Sequence, residues 1–173
     1  MISKISNCSK CNLCKNQKPL LDNTLKCDIM WVGLSAKKVN DVIQNIPLDN
    51  DTNSGKIIEL IESRLANFKF YKTNLVKCLP LDENHKLRYP NQSEMTSCLS
   101  NLLLEINTLH PKIIFALGKK TYNFIYKYFT TNHLDTTSLI YIEHPSYIYV
   151  YKRKYIDEYV NKIVNICNTK LTK

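Results

Sequence analysis

The chain has 173 residues, 44% of them hydrophobic, which suits one folded domain with a full core. Its 24 lysines and arginines against 15 aspartates and glutamates give a formal charge of +9, which favours a polyanionic partner such as nucleic acid. No apolar stretch approaches the roughly 20 residues of a membrane-spanning helix, and no signal peptide is recognisable. Seven cysteines, an odd count, argue against a secreted disulfide framework. We therefore expect a soluble cytoplasmic protein with no membrane partner.

Strand-like and helix-like segments alternate along the chain. Four apolar runs have the pattern of buried strands: 29–34, 70–76, 113–118 and 139–142. Four amphipathic segments have the pattern of helices: 54–67, 92–110, 119–129 and 155–167. Asn91 and Glu94 have the spacing of a capping box at the start of the second of these helices. The alternation predicts an α/β fold, a three-layer αβα sandwich around a mainly parallel four-stranded sheet, with residues 1–173 as one domain.

Polar residues follow the predicted strands. Gly33-Leu34-Ser35 ends the first strand, Asn74 lies near the end of the second, Gly118 ends the third, and His144-Pro145-Ser146 follows the fourth. Because parallel sheets gather their chemistry at the carboxyl ends of the strands, Asn74 and His144 are expected to converge at one edge. Each also has an ordinary structural interpretation, Asn74 as a turn former and His144 as part of a structural His-Pro turn.

Four cysteines have the layout of ligands to one metal centre. Cys8 and Cys11 form a C-x-x-C near the N-terminus, Cys78 follows the second strand, and Cys98 lies in a predicted helix. Two thiolates at C-x-x-C spacing can share one centre, and two distant thiolates can complete it. The pattern therefore predicts an iron-sulfur or zinc centre that ties the N-terminal segment, about residues 1–28, to the core. The alternative is a set of free cysteines used as small buried residues.

Five motifs occur in order along the chain. They are C-x-x-C-x-L at 8–13, T-N-x-V-K-C-x-P at 73–80, R-x-P-x-x-x-E-x-x-x-C at 88–98, P-K-x-I-x-A-L-G at 111–118 and H-P-S at 144–146. Together they resemble the uracil-DNA glycosylase superfamily, and specifically its iron-sulfur branches, families 4 and 5. The match extends over nearly the whole chain, and five motifs in order are far more specific than any one of them.

The resemblance implies a [4Fe-4S] cluster that is structural or that orders a DNA-contacting loop. The ligands it implies are Cys8, Cys11, Cys78 and Cys98. Cys14 extends the first motif to C-x-x-C-x-x-C, so a ligand set that uses Cys14 remains open. Cys27 has no assigned role, and Cys167 is expected in the core.

The resemblance also implies hydrolysis of the N-glycosidic bond of uracil in DNA, as in base excision repair, after the nucleotide is flipped out of the duplex. His144 would donate a hydrogen bond to uracil O2 as negative charge develops there. Asn74 would recognise O4 and N3–H, because an amide offers a donor and an acceptor together. The other residues implied in substrate binding are Gly33, Leu34, Ser35, Leu48 and Ser146.

Two departures from the family pattern affect this site. Where family 4 has G-E-A-P-G, the chain has Gly33-Leu34-Ser35-Ala36-Lys37, so Leu34 replaces the carboxylate that positions or activates water. Family 5 also tolerates a leucine there, and Asp41 aligns with a later acidic residue of the loop. The P-F-x-G-x-A-G motif appears only as Pro47-Leu48 and, after an insertion, Ser54-Gly55, so the aromatic platform for the base is missing.

The segment 147–154 interleaves aromatic and basic residues, and we predict that it is a DNA-contacting loop. Tyr147 would act as an apolar wedge, while Lys152, Arg153 and Lys154 would hold phosphates. The alternative is a strand edge with a solvated basic tail.

These patterns predict a monomeric uracil-DNA glycosylase with DNA as its partner. A glycosylase for another damaged or modified base is one alternative. A catalytically inactive DNA-binding or partner-binding relative is another, and a zinc-bound nucleic-acid module is a more distant one.

Overall fold

A four-stranded sheet forms the centre of the molecule in a computed structural model that describes residues 1–171. Its strands are β1 (Ile29–Ser35), β2 (Phe70–Val76), β3 (Ile113–Leu117) and β4 (Leu139–Ile142). Every neighbouring pair is parallel and the order is β2-β1-β3-β4. The pairing places Gly33 of β1 beside Asn74 of β2. The predicted α/β class and four-stranded sheet are confirmed, and the sheet is wholly rather than mainly parallel.

Helices cover both faces of the sheet. They are α1 (Ile2–Ser6), α2 (Asn53–Ser63), α3 (Gln92–Leu109), α4 (Lys119–Thr131), α5 (Pro145–Tyr151) and α6 (Ile156–Leu171), with 3₁₀ turns at Asn12–Lys15 and Arg153–Tyr155. One face packs against α3 and α4, and the other against α2, α5 and α6. β1 alternates between the two cores: Met30 and Val32 enter the first, Ile29 and Trp31 the second. None of the helices in residues 1–171 has the length and apolar character needed to cross a membrane.

Local interactions explain both boundaries of α3 and the C-terminal boundary of α2. The Asn91 side chain accepts from Glu94 N and the Glu94 carboxylate accepts from Asn91 N, so the predicted capping box at the start of α3 is confirmed. The helix ends at His110, which has a left-handed φ of 48° and precedes Pro111. The helix predicted over 54–67 ends earlier, at Ser63, because tight turns replace helical bonding in the next residues.

Helix α5 contradicts the prediction of a loop over 147–154. Pro145 occupies its first position, where proline fixes a helical φ and needs no hydrogen bond, and His144 caps the helix. Tyr147 and Tyr151 then lie one turn apart with ring centroids 5.3 Å from each other. The 3₁₀ turn at Arg153–Tyr155 follows directly. Proline at the first position was the sequence signal for this helix.

The N-terminal segment is attached to the core by contacts of its own. Ile5, Leu13 and Leu20 are buried. The Leu20 N–H donates to the Lys77 carbonyl at 2.8 Å, and the Asp22 carboxylate accepts from the Lys72 N–H at 3.0 Å. These bonds hold the segment against β2 independently of any metal centre.

Candidate functional site

A cleft opens at the carboxyl edge of the sheet. β2 lies on one side of β1, while β3 and β4 lie on its other side, so the loops that leave these strands diverge at a topological switch point. The cleft has a volume of about 810 Å³. It brings together eight residues that were predicted for the site from the sequence: Gly33, Leu34, Ser35, Leu48, Asn74, His144, Ser146 and Tyr147.

Asn74 lines the cleft, and its side chain packs closely against Gly33. The two residues are neighbours in the β1–β2 ladder, and Asn74 is only 3% exposed. A Cβ on Gly33 would overlap the Asn74 Oδ1 and would lie 3.3 Å from a methyl group of Leu48. Glycine is therefore required at this position by packing, because any larger residue would displace the amide that faces the cleft.

The loop before α2 holds Leu48 in a strained backbone conformation. Its φ of 55° is left-handed, which costs a residue with a Cβ roughly 1 to 2 kcal/mol. The start of α2 packs so tightly on this loop that a Cβ on Gly55 would overlap the Asp49 carbonyl. The loop therefore fixes an aliphatic side chain in the cleft at the position where the family pattern has an aromatic ring.

His144 is held as a neutral ring with a defined tautomer. The Ser146 N–H donates to His144 Nδ1 at 3.3 Å, and the Ser146 hydroxyl lies 3.0 Å from the same nitrogen. Burial lowers the pKa of His144, because the charged imidazolium loses hydration. Since Nδ1 accepts, the proton of the neutral ring is on Nε2. The cleft thus contains a pre-positioned neutral N–H donor.

The charges around the cleft are positive. Lys37, Arg88, Lys119 and Lys120 line it, and none of its described lining residues is an aspartate or glutamate. Two of these cations are paired outside the cleft, Lys37 with Asp51 and Arg88 with Glu94. Asp41, the later acid of the first loop, lies in a separate depression, where it accepts from the Ile43 N–H. The cleft therefore suits an anionic ligand and contains no carboxylate that could activate water.

The predicted phosphate-binding residues lie beside the cleft rather than in it. Lys152 forms an ion pair with Glu143 at 3.0 Å. The Arg153 guanidinium lies over the Tyr149 ring at 5.3 Å, and the Lys154 ammonium lies over Tyr155 at 5.0 Å. Helix α5 nevertheless brings Tyr147, Val150 and Tyr151 into the cleft wall.

Five cysteines surround a small apolar cavity between the N-terminal segment, the end of β2 and α3: Cys8, Cys11, Cys14, Cys78 and Cys98. Asn101 Nδ2 donates to Cys8 Sγ at 3.2 Å, and the Lys77 N–H donates to Cys98 Sγ at 3.4 Å. Burial, followed by charge on the neighbouring thiols, raises the pKa of Cys78. Within residues 1–171, no three His, Cys, Asp or Glu side chains are gathered tightly enough to hold a single metal ion.

The other two cysteines, Cys27 and Cys167, do not line this cavity. Burial raises the pKa of Cys27 to about 12, with the nearby charges of Asp28 and Asp22 acting in the same direction. Cys167 is fully buried in the core beneath α6, and burial raises its pKa to about 12 as well. Five thiols thus line one cavity, and the other two lie outside it.

Comparison with known proteins gives the family. A profile of the Uracil DNA glycosylase superfamily matches residues 17–166. The chain belongs to the uracil-DNA glycosylase superfamily. This confirms the resemblance seen in the five sequence motifs.

Curated relatives of the chain include proteins named type-4 uracil-DNA glycosylase. The chain is 27% identical to that of Saccharolobus solfataricus over 72% of its own length and 56% of the relative's. It is 27% identical to the protein of Sulfurisphaera tokodaii over 88% of its own length and 67% of the relative's. It is 32% identical to the protein of Pyrobaculum aerophilum over 66% of its own length and 57% of the relative's. The chain therefore spans between about half and two thirds of the length of these relatives.

A solved structure matches the fold. Wild-type Pedobacter heparinus SMUG2 superimposes with a TM-score of 0.66, covering 86% of this chain and 77% of that one. Sequence identity is 15%, so this likeness concerns the architecture alone. It agrees with the parallel sheet and its two helical layers.

A buried polar network connects the cleft to the thiol cavity of this uracil-DNA glycosylase superfamily member. Lys77 Nζ lies 2.7 Å from each of three oxygens, those of the Glu105 carboxylate, the Thr73 hydroxyl and the Asn74 carbonyl. Glu105 also accepts from the Tyr71 hydroxyl at 3.0 Å. The side chains of Lys77 and Glu105 are both fully buried. Because Glu105 lies one heptad after Cys98 on the inner face of α3, helical spacing was the only sequence signal for it.

Proposed function

We propose that the chain is a DNA glycosylase that hydrolyses the N-glycosidic bond of uracil in DNA, as in base excision repair. The observation that supports this best is the convergence of Asn74 and the neutral His144 in one cationic cleft at the switch point. The names of the curated relatives agree with it. We further propose a monomeric state and a cytoplasmic location, where reducing conditions keep cysteines free of disulfides, as they are here.

The reaction needs a stabilised leaving group. The C1′–N1 bond breaks with its electron pair moving to the base, a water oxygen bonds to C1′, and the base leaves as an anion that later takes a proton. His144 donates Nε2–H to uracil O2 as this charge develops. One preorganised donor of this type is worth about 3 kcal/mol of transition-state stabilisation.

Asn74 recognises the base. Its side-chain amide presents a donor and an acceptor, which match uracil O4 and N3–H and mismatch the corresponding edge of cytosine. Gly33 leaves the space in which the amide faces the cleft, so a base whose edge does not match the amide leaves buried polar atoms unpaired. Discrimination against cytosine therefore depends on the amide that the β1–β2 pairing places in the cleft.

The residues that line the cleft indicate that most of the rate enhancement comes from stabilising the departing base. Leu34 lies where family 4 has its acid, and no described lining residue supplies another carboxylate. Leu48 offers the base an aliphatic surface, which forgoes the roughly 1 to 3 kcal/mol that stacking on an aromatic ring provides. We therefore propose a slow enzyme that stabilises the departing base more than it activates water.

The direct test is base release from defined DNA. Single- and double-stranded oligonucleotides carrying one uracil are incubated with the protein, and abasic sites are then cleaved with alkali. Scission at the uracil is expected, with none in the matched thymine oligonucleotide. Scission only with hypoxanthine or xanthine would reassign the base. A DNA-binding protein that releases no base from any of these would support the inactive relative instead.

We propose that the thiol cavity holds a [4Fe-4S] cluster on Cys8, Cys11, Cys78 and Cys98, with Cys14 as the alternative N-terminal ligand. Two N–H···S hydrogen bonds, from Asn101 and the Lys77 backbone, already point at these sulfurs and would stabilise thiolates. When bound, the cluster supplies a cross-link between the N-terminal segment, β2 and α3. The base chemistry does not pass through it.

Iron content tests the cluster. Anaerobically purified protein should be brown, absorb at about 400 nm and contain about four irons per chain. Cys78→Ala and Cys98→Ala should lose the iron, whereas Cys27→Ala, outside the cavity, should retain it. Cys14→Ala and Cys11→Ala compared side by side decide between the two ligand sets. One zinc per chain and no iron would contradict the cluster.

Salt dependence tests whether the flanking cations contact DNA. The logarithm of the affinity for duplex should fall with that of the salt concentration, with a slope near 0.9 per phosphate contacted. Replacing Lys152, Arg153 and Lys154 with alanine should reduce the slope. The matched control replaces Lys26, Lys69 and Lys112, exposed lysines that precede β1, β2 and β3 at the opposite edge of the sheet. Equal slopes for the two triple variants would exclude local contact.

A further inference from the structure

Exposed apolar side chains are concentrated around the cleft. Among the described residues, 12 large hydrophobic side chains are exposed, and five of these line the cleft. Three of the five, Tyr147, Val150 and Tyr151, belong to α5. The other two, Leu87 and Tyr89, come from the connection between β2 and α3 and are 64% and 75% exposed. Nothing in the proposed base chemistry uses this second pair, which we name the rim arm.

The rim arm is held rigidly although its side chains face solvent. Arg88, between the two residues, turns inward and forms a bidentate pair with Glu94 at 2.5 and 2.8 Å. Its Nε donates to the Leu81 carbonyl at 2.9 Å, and Leu81 and Leu87 form an antiparallel bridge. Leu87 and Tyr89 are therefore presented outward on a preorganised backbone, which lowers the entropy that a ligand must overcome.

The charge beside the rim arm fits a nucleic acid. Lys120 Nζ lies 5.0 Å from the centre of the Tyr89 ring and donates to the Pro90 carbonyl at 3.2 Å. Lys119 and Lys120 both line the acid-free cleft. An exposed ring beside fixed cations matches the way proteins bind single strands, where bases stack on aromatics and cations follow the phosphates.

We propose that Leu87 and Tyr89, with Lys120 beside them, form a stacking platform for an unpaired base next to the nucleotide in the cleft. This inference rests on the proposed function, because that nucleotide occupies the cleft. In a duplex a neighbouring base is held by its pairing partner and by the next base in the stack, so reaching the platform costs unpairing and unstacking energy, and the platform therefore selects single-stranded DNA. Tyr89 stands at a position that the R-x-P motif leaves unspecified, so the preference belongs to this chain rather than to the motif.

Binding without catalysis tests the platform. Fluorescence anisotropy measures affinity for a uracil-free single strand and for its duplex, with the cluster-loaded protein. Tyr89→Ala should weaken single-strand binding by about 5- to 150-fold, the equivalent of 1 to 3 kcal/mol per stacked base. Tyr89→Phe, which keeps the ring, should bind as the wild type does. The matched control is Tyr126→Ala, an exposed tyrosine on α4 outside the cleft.

The outcomes separate this inference from the proposed function. Single-strand affinity that is equal in Tyr89→Ala and Tyr126→Ala overturns the platform, even if the wild type releases uracil. An equal loss on single strand and duplex overturns the single-strand preference. A wild type that releases no base while Tyr89→Ala selectively loses single-strand affinity overturns the glycosylase proposal and supports the platform.

Discussion

Replacing His144 with alanine is expected to slow uracil release by about 10²-fold or more, because one preorganised donor to a developing anion contributes about 3 kcal/mol. The ring accepts from Ser146 at Nδ1, which leaves Nε2–H for the base. Single-turnover rates on uracil-containing single strands measure the effect. DNA affinity and iron content should be unchanged, since the interaction strengthens only as charge develops. A rate within about threefold of the wild type would remove His144 from the mechanism.

The pH dependence of the same rate identifies the protonation state in which His144 acts as the donor. Burial lowers the pKa of His144 from its ordinary value near 6.5, so the ring is neutral at pH 7 and above. If the neutral Nε2–H is the donor, the wild-type rate should not change between about pH 7 and 9. A rate that falls tenfold per pH unit across this range would instead require a protonated imidazolium.

Breaking the ion pair between Lys77 and Glu105 is expected to cost about 3 to 5 kcal/mol of unfolding free energy, because either partner alone would be a buried charge. Both side chains are fully buried and lie 2.7 Å apart. Glu105→Leu should therefore lower the urea midpoint sharply under anaerobic conditions. The double variant with Lys77→Met should recover much of the loss, because an apolar pair of similar volume is often as stable as a buried ion pair.

Measuring the activity of the double variant separates a role of the ion pair in positioning Asn74 from its role in the stability of the fold. Lys77 also binds the Asn74 carbonyl, so a stable double variant should still release uracil more slowly and discriminate less well against cytosine. Lys72→Met provides the control, because Lys72 is on β2, five residues before Lys77, but pairs with Glu62 on the opposite face of the sheet. A double variant with wild-type stability and wild-type rate would show that the pair has no role in holding Asn74.

The sheet and the convergence of Asn74 and His144 at its edge could be predicted from the sequence, because both follow from strong local patterns. Four apolar runs defined the strands, and a parallel sheet necessarily places Asn74 and His144 at the same edge. Helix α5 was missed because its tyrosines and branched residues alternate in a way that also suits a strand or loop. Lys77 and Glu105 could not be anticipated as a buried pair, since both residue types are almost always exposed and only tertiary packing brings them together.

The short helix α5 places two groups of proposed site residues in one rigid body. His144 caps it, Tyr147 and Tyr151 project from it, and an ion pair between Glu143 and Lys152 ties its two ends. The Tyr159 hydroxyl of α6 donates to the Glu143 carbonyl at 2.5 Å and anchors the start of the helix. In the proposed function, a DNA strand that contacts Tyr147 and Tyr151 therefore acts on the same helix that His144 caps. Seating of the strand and hydrogen bonding to the departing base are then coupled through α5.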